Sequence, residues 1–528
     1  MRQLGGVLLF LVLLIPSAWF AWSNRDMPQF GRWMHDDSVY FVCARSLAQG
    51  AGYRILSLPE QPYQTKYPPL YPLLLSWVWR ARPVFPGNLY AVTALGWVML
   101  PILLLLVRRW YQSIGVSELQ IFILVAVTAL NPYFILFSAS MLSEMLFSCL
   151  LLACLLLYQR ASTDARAALA AGVAGSLAYL TRTAGLALLV PAVALLLWRR
   201  RWKHAALFSV PVAAAVVGWT LWTRAHRSLS SDVLTIYYTD YLRYQIMNVA
   251  WRDLPLYVWR NLDVLLKGMG ALVLPDVTGS FFVKALTQTI AVGMIAGVVR
   301  LLRRPGAALY GWFCLFYSAM LLIWHFPPNE RFVLPMFPLL LAGLGTELVR
   351  LWAALRAGLR HAQLSQRIAA VAIGATGAAI LGGALLVQCY VAGVFMPGDM
   401  REQRARRAAD EEAFRWISVN LPAPARLLAY DDPLVYLYTG RPAACLTALS
   451  LYWYRNDHAG MVAAYSGVVP FARQHALDYA YVADSDYHRH MGAEDASQAV
   501  RVIRRNPDLE ALYRTAGATV YRIQRVHK

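Results

Sequence analysis

The 528-residue chain is short of charge: 15% of its residues are Asp, Glu, Lys or Arg, while 59% are hydrophobic and the mean hydropathy is +0.45. Soluble domains carry roughly 25% charged residues because their surfaces must face water, so a soluble protein of this length is excluded. Cysteine is also scarce. Of the six, Cys149, Cys154, Cys314 and Cys389 lie in apolar stretches, and nothing in the spacing of Cys43 and Cys445 pairs them, so no disulfide framework is implied. Internal repeats and low-complexity segments are missing. The formal net charge of +20 is not spread as a nucleic-acid-binding surface would require. Its Arg and Lys residues form short runs between apolar segments, the pattern of loops that orient a membrane protein.

The apolar stretches predict about eleven transmembrane helices near 4–22, 88–107, 117–131, 138–158, 167–180, 183–198, 205–223, 281–299, 307–324, 332–349 and 368–391. The first reads as an uncleaved helix with a cytoplasmic N-terminus rather than as a signal peptide. That orientation puts every short basic run on the cytoplasmic side: Arg108 and Arg109; Arg160 and Arg166; Arg199 to Lys203; Arg300, Arg303 and Arg304; Arg350 to Arg367. Counting 68–79 or 254–274 as spans would turn the later basic loops outward, so both read as helices lying in the outer interface.

Three extracytoplasmic regions follow: a first loop over 23–87, a second over 224–280 and a tail over 395–528. The expected organisation is a membrane domain, 1–394, and a soluble α/β domain, 395–528. In the tail, 404–420 has helical periodicity, and 426–430, 435–438, 479–483 and 519–523 read as strands.

Polar residues gather at the outer face. The first loop holds HDDSVYFVCARSLAQGAGYR from His35, in which Tyr40, Ala44 and Leu47 mark a short amphipathic helix ended by Gly50 and Gly52, and then KYPPLYPLLLSW from Lys66. Asp36 and Asp37 at such a helix start are also what ordinary capping produces. Glu144 lies in the outer half of an apolar helix, where an ionisable group is costly. Arg182, in LTRTAG, and His325, Glu330 and Arg331, in WHFPPNERFVLPMFP, stand at outer helix ends.

The run DD-x-x-Y-x-x-x-A-x-x-L-x-x-G-x-G-Y followed by K-Y-P-P-L-Y-P resembles the first outer loop of GT-C glycosyltransferases. The likeness is to the protein-mannosyltransferase and aminoarabinose-transferase branch, including bacterial RgtA/B/C/D-like members. The segments with Glu144, Arg182 and Arg331 extend it over most of the region to about residue 390. This resemblance implies an inverting membrane transferase that moves a sugar from a polyprenyl-phosphate donor to a lipid, polysaccharide or protein acceptor outside the bacterial inner membrane. It implies Asp36 as general base, with Asp37, where the family usually has Glu, and Glu144 as further catalytic residues. It assigns Lys66, Arg331 and Arg182 to the donor phosphate, and the 68–79 helix to a groove for the prenyl chain. A divalent metal stays open, with His325 and Glu330 as acceptor or metal residues, because no ligand set with metal spacing is present and Thr65 precedes Lys66 where a carboxylate would help. An oligosaccharide ligase using a lipid-diphosphate carrier, a transporter and a non-catalytic scaffold are the alternatives; a transporter should show repeated halves and midplane charges.

Overall fold

A computed structural model describes residues 2–32, 35–304, 306–361 and 363–524; 525–528 of the expected tail lie outside the described residues. Helices cover most of the length of the expected spans. Among the described residues, six helices are long and apolar enough to cross a membrane: Gly6–Ser23, Leu89–Ser113, Trp202–Ala225, Phe281–Leu301, Glu330–Leu359 and Leu364–Asn420. Glu118–Leu130 and Pro132–Ser138, bent by 58°, make a seventh if counted as one span, and Glu144–Tyr158, Thr183–Trp198 and Ala308–Leu322 are shorter apolar helices. Glycines let some of these helices touch along their backbones. A Cβ on Gly297 would strike the Gly343 carbonyl of the facing helix, so only the missing side chains permit that approach.

The expected span over 138–158 is interrupted. Pro132 forces Asn131 out of the helical region (ψ 126°), and the Asn131 side chain caps the new Pro132–Ser138 helix through the Tyr133 amide. The chain then loosens and restarts at Glu144, so this acid opens the Glu144–Tyr158 helix instead of lying inside a longer one. The likeness of 68–79 and 254–274 to helices is realised as Leu70–Ala81 and Leu254–Ala271. Leu70–Ala81 packs on Asp36–Ala48, with the Trp79 indole N–H donating to the Phe41 carbonyl at 3.0 Å.

Beyond the membrane helices, the last apolar helix does not stop. Leu364–Asn420 runs through a π-turn at Val391–Phe395 into the C-terminal domain, so the expected boundary at 394/395 lies inside one helix. The domain holds a five-stranded sheet of β1 (Leu427–Ala429), β2 (Ala443–Ala444), β3 (Tyr479–Ala483), β4 (Leu509–Arg514) and β5 (Ala518–Ile523), in the order β2-β1-β3-β5-β4. β1 is parallel to β2 and β3, while β5 is antiparallel to β3 and β4. The strand expected over 435–438 is instead part of the helix Asp432–Thr439. Pro433 fits its first turn, and Gly440, at φ +69°, ends it in the left-handed conformation; these signals outweigh the β-favouring alternation of VYLY.

This domain is docked on the two long loops, 23–87 and 224–280. Arg32 pairs with Asp410, and Arg404 reaches Asp26 at 3.0 Å. The Ala443 amide donates to the Ser57 carbonyl at 2.8 Å, and Arg455 meets Asp253 at 2.6 Å. Ser450 and Tyr454 bond Asn248 and Asn261 of the second loop.

Candidate functional site

The docking encloses a cavity of about 670 Å³ between the ends of the membrane helices, both long loops and the C-terminal domain. Asp36 opens the Asp36–Ala48 helix and lies on this cavity. The helix N-cap, His35, makes no side-chain capping bond, and the Asp36 carboxylate does not cap either. It accepts from the Tyr67 hydroxyl at 2.5 Å and from the Arg331 guanidinium at 2.8 Å. Burial alone would push its pKa up, but the charges of Arg331 and Lys66 and the Tyr67 hydroxyl outweigh burial and hold it near about 2.

Asp37 faces the other way. Its carboxylate accepts from the Gly31 amide at 3.1 Å and the Ser38 amide at 2.6 Å, which pins the turn before the helix, and it is not on the cavity wall. Burial pushes this carboxyl up to about 7 despite those bonds. The two carboxylates adjacent in sequence are therefore separated by the helix geometry: consecutive side chains project about 100° apart, so one faces the cavity and one the core.

Glu144 is 1% exposed and stands behind the wall. It pairs with Arg331, and with Arg182 at 2.6 Å, while Arg182 also donates to the Ser143 hydroxyl at 3.1 Å. One buried carboxylate thus anchors two guanidiniums that line the cavity, so Glu144 positions cations rather than touching the cavity contents. Arg182 can reach it because the helix Ala165–Thr181 ends there and Arg182 itself is extended.

Lys66 is 4% exposed and, among the described residues, makes no ion pair. Its ammonium donates to the Tyr237 carbonyl at 2.9 Å and lies over the rings of Tyr237, Tyr241 and Tyr67 at 4.3, 5.0 and 5.1 Å. Burial pushes its pKa down to about 8 against the pull of Asp36. Tyr67 lies in the KYPPLYP run, whose pattern does not show its bond to Asp36; Tyr237 and Tyr241 come from the second loop, where the tyrosine-rich TIYYTDY is the available signal.

Glu330 lines the cavity, but His325 does not. The His325 ring bonds the Gln245 side chain at 2.5 Å, and burial, with Lys66 nearby, keeps it well below the usual histidine range. The two residues do not form a joint ligand group among the described residues, so the pairing of His325 with Glu330 around a metal finds no support in their placement.

A narrower pocket of about 70 Å³ adjoins Asp36, Tyr67 and Arg182 and is walled by Tyr40, Ala184, Tyr317, Met320 and Leu321. Apart from Pro68, none of its lining belongs to the 68–79 segment expected to make the apolar groove; the helix Ala308–Leu322 contributes Tyr317, Met320 and Leu321 instead. The reason is orientation: Leu70–Ala81 turns Leu75 and Trp79 into the protein and Trp77 outward.

No protein-family model matches the sequence, and no curated protein does. Solved structures do. A crystal structure of ArnT from Cupriavidus metallidurans in the apo state matches with a TM-score of 0.52 and 13% identity, over 99% of this chain and 98% of that one. The structure of the same protein bound to undecaprenyl phosphate matches with a TM-score of 0.53 and 14% identity, over 98% of both chains. At such low identity the likeness shows architecture, and from end to end the chain has the fold of ArnT, an aminoarabinose transferase of the GT-C class.

Proposed function

We propose that the chain is an integral-membrane glycosyltransferase that moves a sugar from a polyprenyl-phosphate carrier to an extracytoplasmic acceptor, with inversion at the anomeric carbon. The observation that carries this reading is the charge of the cavity wall below the C-terminal domain. Lys66, Arg182 and Arg331 supply three positive charges there; Asp36 and Glu144 pair with the two arginines, Glu330 lies elsewhere on the cavity lining, and Lys66 is the surplus cation, with no ion pair among the described residues. A sugar–phosphate–prenyl diester carries one negative charge and gains a second as the sugar leaves. The surplus matches the donor, and the developing charge on the leaving oxygen is stabilised by cations already in place. The narrow apolar pocket beside Arg182 suits the first prenyl units next to that phosphate. ArnT was solved with undecaprenyl phosphate bound, which agrees with this choice of carrier.

In the reaction, the acceptor oxygen attacks the anomeric carbon from the face opposite the phosphate. The new C–O bond forms as the sugar–phosphate bond breaks, polyprenyl phosphate departs, and Asp36 takes the hydroxyl proton. A carboxylate held near about 2 by Arg331 and Lys66 is a weak base. Donor binding changes that. The phosphate draws both cations to itself, and Asp36 gains basicity only when a donor is present. A site outside the membrane, with the N-terminus in the cytoplasm, agrees with the one-sided basic loops.

A ligase acting on a diphosphate carrier would face two negative charges in the ground state, which the surplus of one balances less well. The test is direct: purified chain in lipid nanodiscs receives polyprenyl-monophosphate sugars and, separately, polyprenyl-diphosphate oligosaccharides, with envelope lipids and polysaccharides as acceptors. Sugar loss from the monophosphate donor with release of polyprenyl phosphate is expected. Turnover of the diphosphate carrier alone would make the chain a ligase, and turnover of neither would remove the enzymatic reading.

A further inference from the structure

A second polar cluster lies beside the cavity, where the C-terminal domain meets both outer loops. His35 comes from the first loop, Tyr238 from the second, and Asp432 and Cys445 from the C-terminal domain. The donor atoms of His35, Asp432 and Cys445 all lie within 4.8 Å of one another, and all three side chains are buried. His35 Nε2 stands 3.4 Å from Asp432 Oδ1. The Tyr238 hydroxyl lies against all three, 3.0 Å from His35 Nε2, 2.5 Å from Asp432 Oδ1 and 3.6 Å from Cys445 Sγ.

Hydrogen bonding alone does not complete this cluster. Asp432 is fully buried, and its Oδ2 has no hydrogen-bond partner among the described residues. A buried carboxylate oxygen without a donor is costly, so its retention calls for a partner. We propose that His35, Asp432 and Cys445 bind a zinc ion that clamps the C-terminal domain onto the first outer loop.

The donor set selects the metal. A thiolate, an imidazole and a carboxylate suit a borderline-soft ion, whereas calcium and magnesium take oxygen ligands. Zinc bonds of about 2.0–2.3 Å at tetrahedral angles set ligand atoms about 3.3–3.8 Å apart. The His35–Asp432 separation already has that value. On binding, the Cys445 thiol gives its proton to solvent, and one thiolate, one carboxylate and Zn²⁺ sum to zero charge in a buried place. The second ring nitrogen of His35 also has a partner: Nδ1 lies 3.2 Å from the Tyr237 hydroxyl, the contact that fixes the tautomer of a ligating histidine. A neighbouring cavity of about 380 Å³, lined by His35 and Cys445 among others, gives the ion a path in.

The position gives the clamp a consequence. His35 precedes Asp36 in the chain, and the Tyr237 carbonyl holds Lys66. An ion here would fix the base of both groups while touching neither.

The test reads metal directly and does not depend on transfer. Protein purified without a polyhistidine tag is measured for metal by mass spectrometry, and cobalt is exchanged in as a spectroscopic probe. About one zinc per chain is expected, with a thiolate-to-cobalt charge-transfer band in the exchanged protein. Cys445→Ser and Asp432→Asn should lose the metal, and Cys445→Ser should lose the band, whereas Cys43→Ser keeps both. If those variants do not fold, the native protein decides: zinc should slow alkylation of Cys445 at least tenfold. Native protein that takes up neither zinc nor cobalt, with Cys445 alkylated equally fast in zinc and in chelator, would overturn the proposal.

Discussion

The two walls of the cavity hold similar residues in opposite states. On the wall made by the membrane-helix ends and loops, three cations share two carboxylates, and Lys66 is caged by aromatic rings without an ion-pair partner among the described residues. Where the C-terminal domain closes the cavity, each arginine is already matched. Arg32 of the first loop pairs with Asp410, while Arg489 pairs with Asp431 at 2.9 Å inside the domain and Arg406 with Glu402 one turn away on its own helix. Arg489 also donates to the Gly31 and Arg32 carbonyls at 3.3 and 3.1 Å. An unmatched buried cation is expensive and persists where a ligand anion completes it, while a matched pair across two segments fixes their relative position. The lower wall is therefore suited to binding and the upper contacts to docking.

That contrast can be broken from either side. The largest effect is expected from Asp36→Asn. Asn keeps the size and can still cap a helix but cannot take a proton, so turnover should fall by about 10²–10⁴-fold while donor binding and thermal stability persist. Near-normal turnover by folded protein would return Asp36 to a structural role. On the docking side, Arg32→Ala leaves Asp410 buried without its partner. It should cost about 3–5 kcal/mol of stability, visible as earlier protease cleavage of the C-terminal domain, with donor affinity of the folded fraction preserved. A weaker donor without loss of stability would show that the upper wall binds as well.

Lys66→Ala and Arg331→Ala should each weaken donor use by about 1.5–3 kcal/mol, the worth of a charge-assisted hydrogen bond in a partly desolvated site. Arg331→Ala should be the worse of the two for folding, since Glu144 then keeps Arg182 alone. Unchanged donor titrations in both variants would displace the phosphate from this wall. A pH series sharpens the Lys66 assignment. Its charge is present below about 8 and lost above it, so donor affinity should fall as pH rises through about 8, and Lys66→Ala should abolish that dependence. The smallest effect belongs to Asp37→Asn. Burial raises the folded-state pKa of Asp37 to about 7, so the acid contributes stability at low pH that is lost as pH rises towards 7. The Asn variant should turn over normally and melt no lower than the native chain at pH 8; a collapse of activity would put Asp37 in the chemistry.

Much of the membrane region was readable because lipid imposes a simple rule: a segment that cannot reach water must be apolar and helical. The rule located the apolar helices and the helix of the first loop, though not which of them are long enough to cross a membrane, and the motif segments marked Asp36, Lys66, Arg182, Glu144 and Arg331. It could not say which of these share a wall. Asp36 and Asp37 look alike in the chain, and the helical rotation between them sends one to the cavity and the other to Gly31. His325 and Glu330, five residues apart, part company because a proline-containing turn separates them. Local pattern also failed in the tail, where VYLY alternates like a strand but Pro433 and Gly440 make it a helix.

What the sequence determined by itself was thus the solvent of each segment, the helices that follow from it, and the set of residues whose charge was out of place there. Tertiary structure alone decided that the tail folds back to close the cavity, that Glu144 serves two arginines, that three tyrosines cage Lys66, and that His35 meets Asp432, 397 residues away, and Cys445. The physical reason is range. Burial and helix formation depend on neighbours within a few turns, whereas charge pairing and ligand geometry depend on which distant segments are packed together.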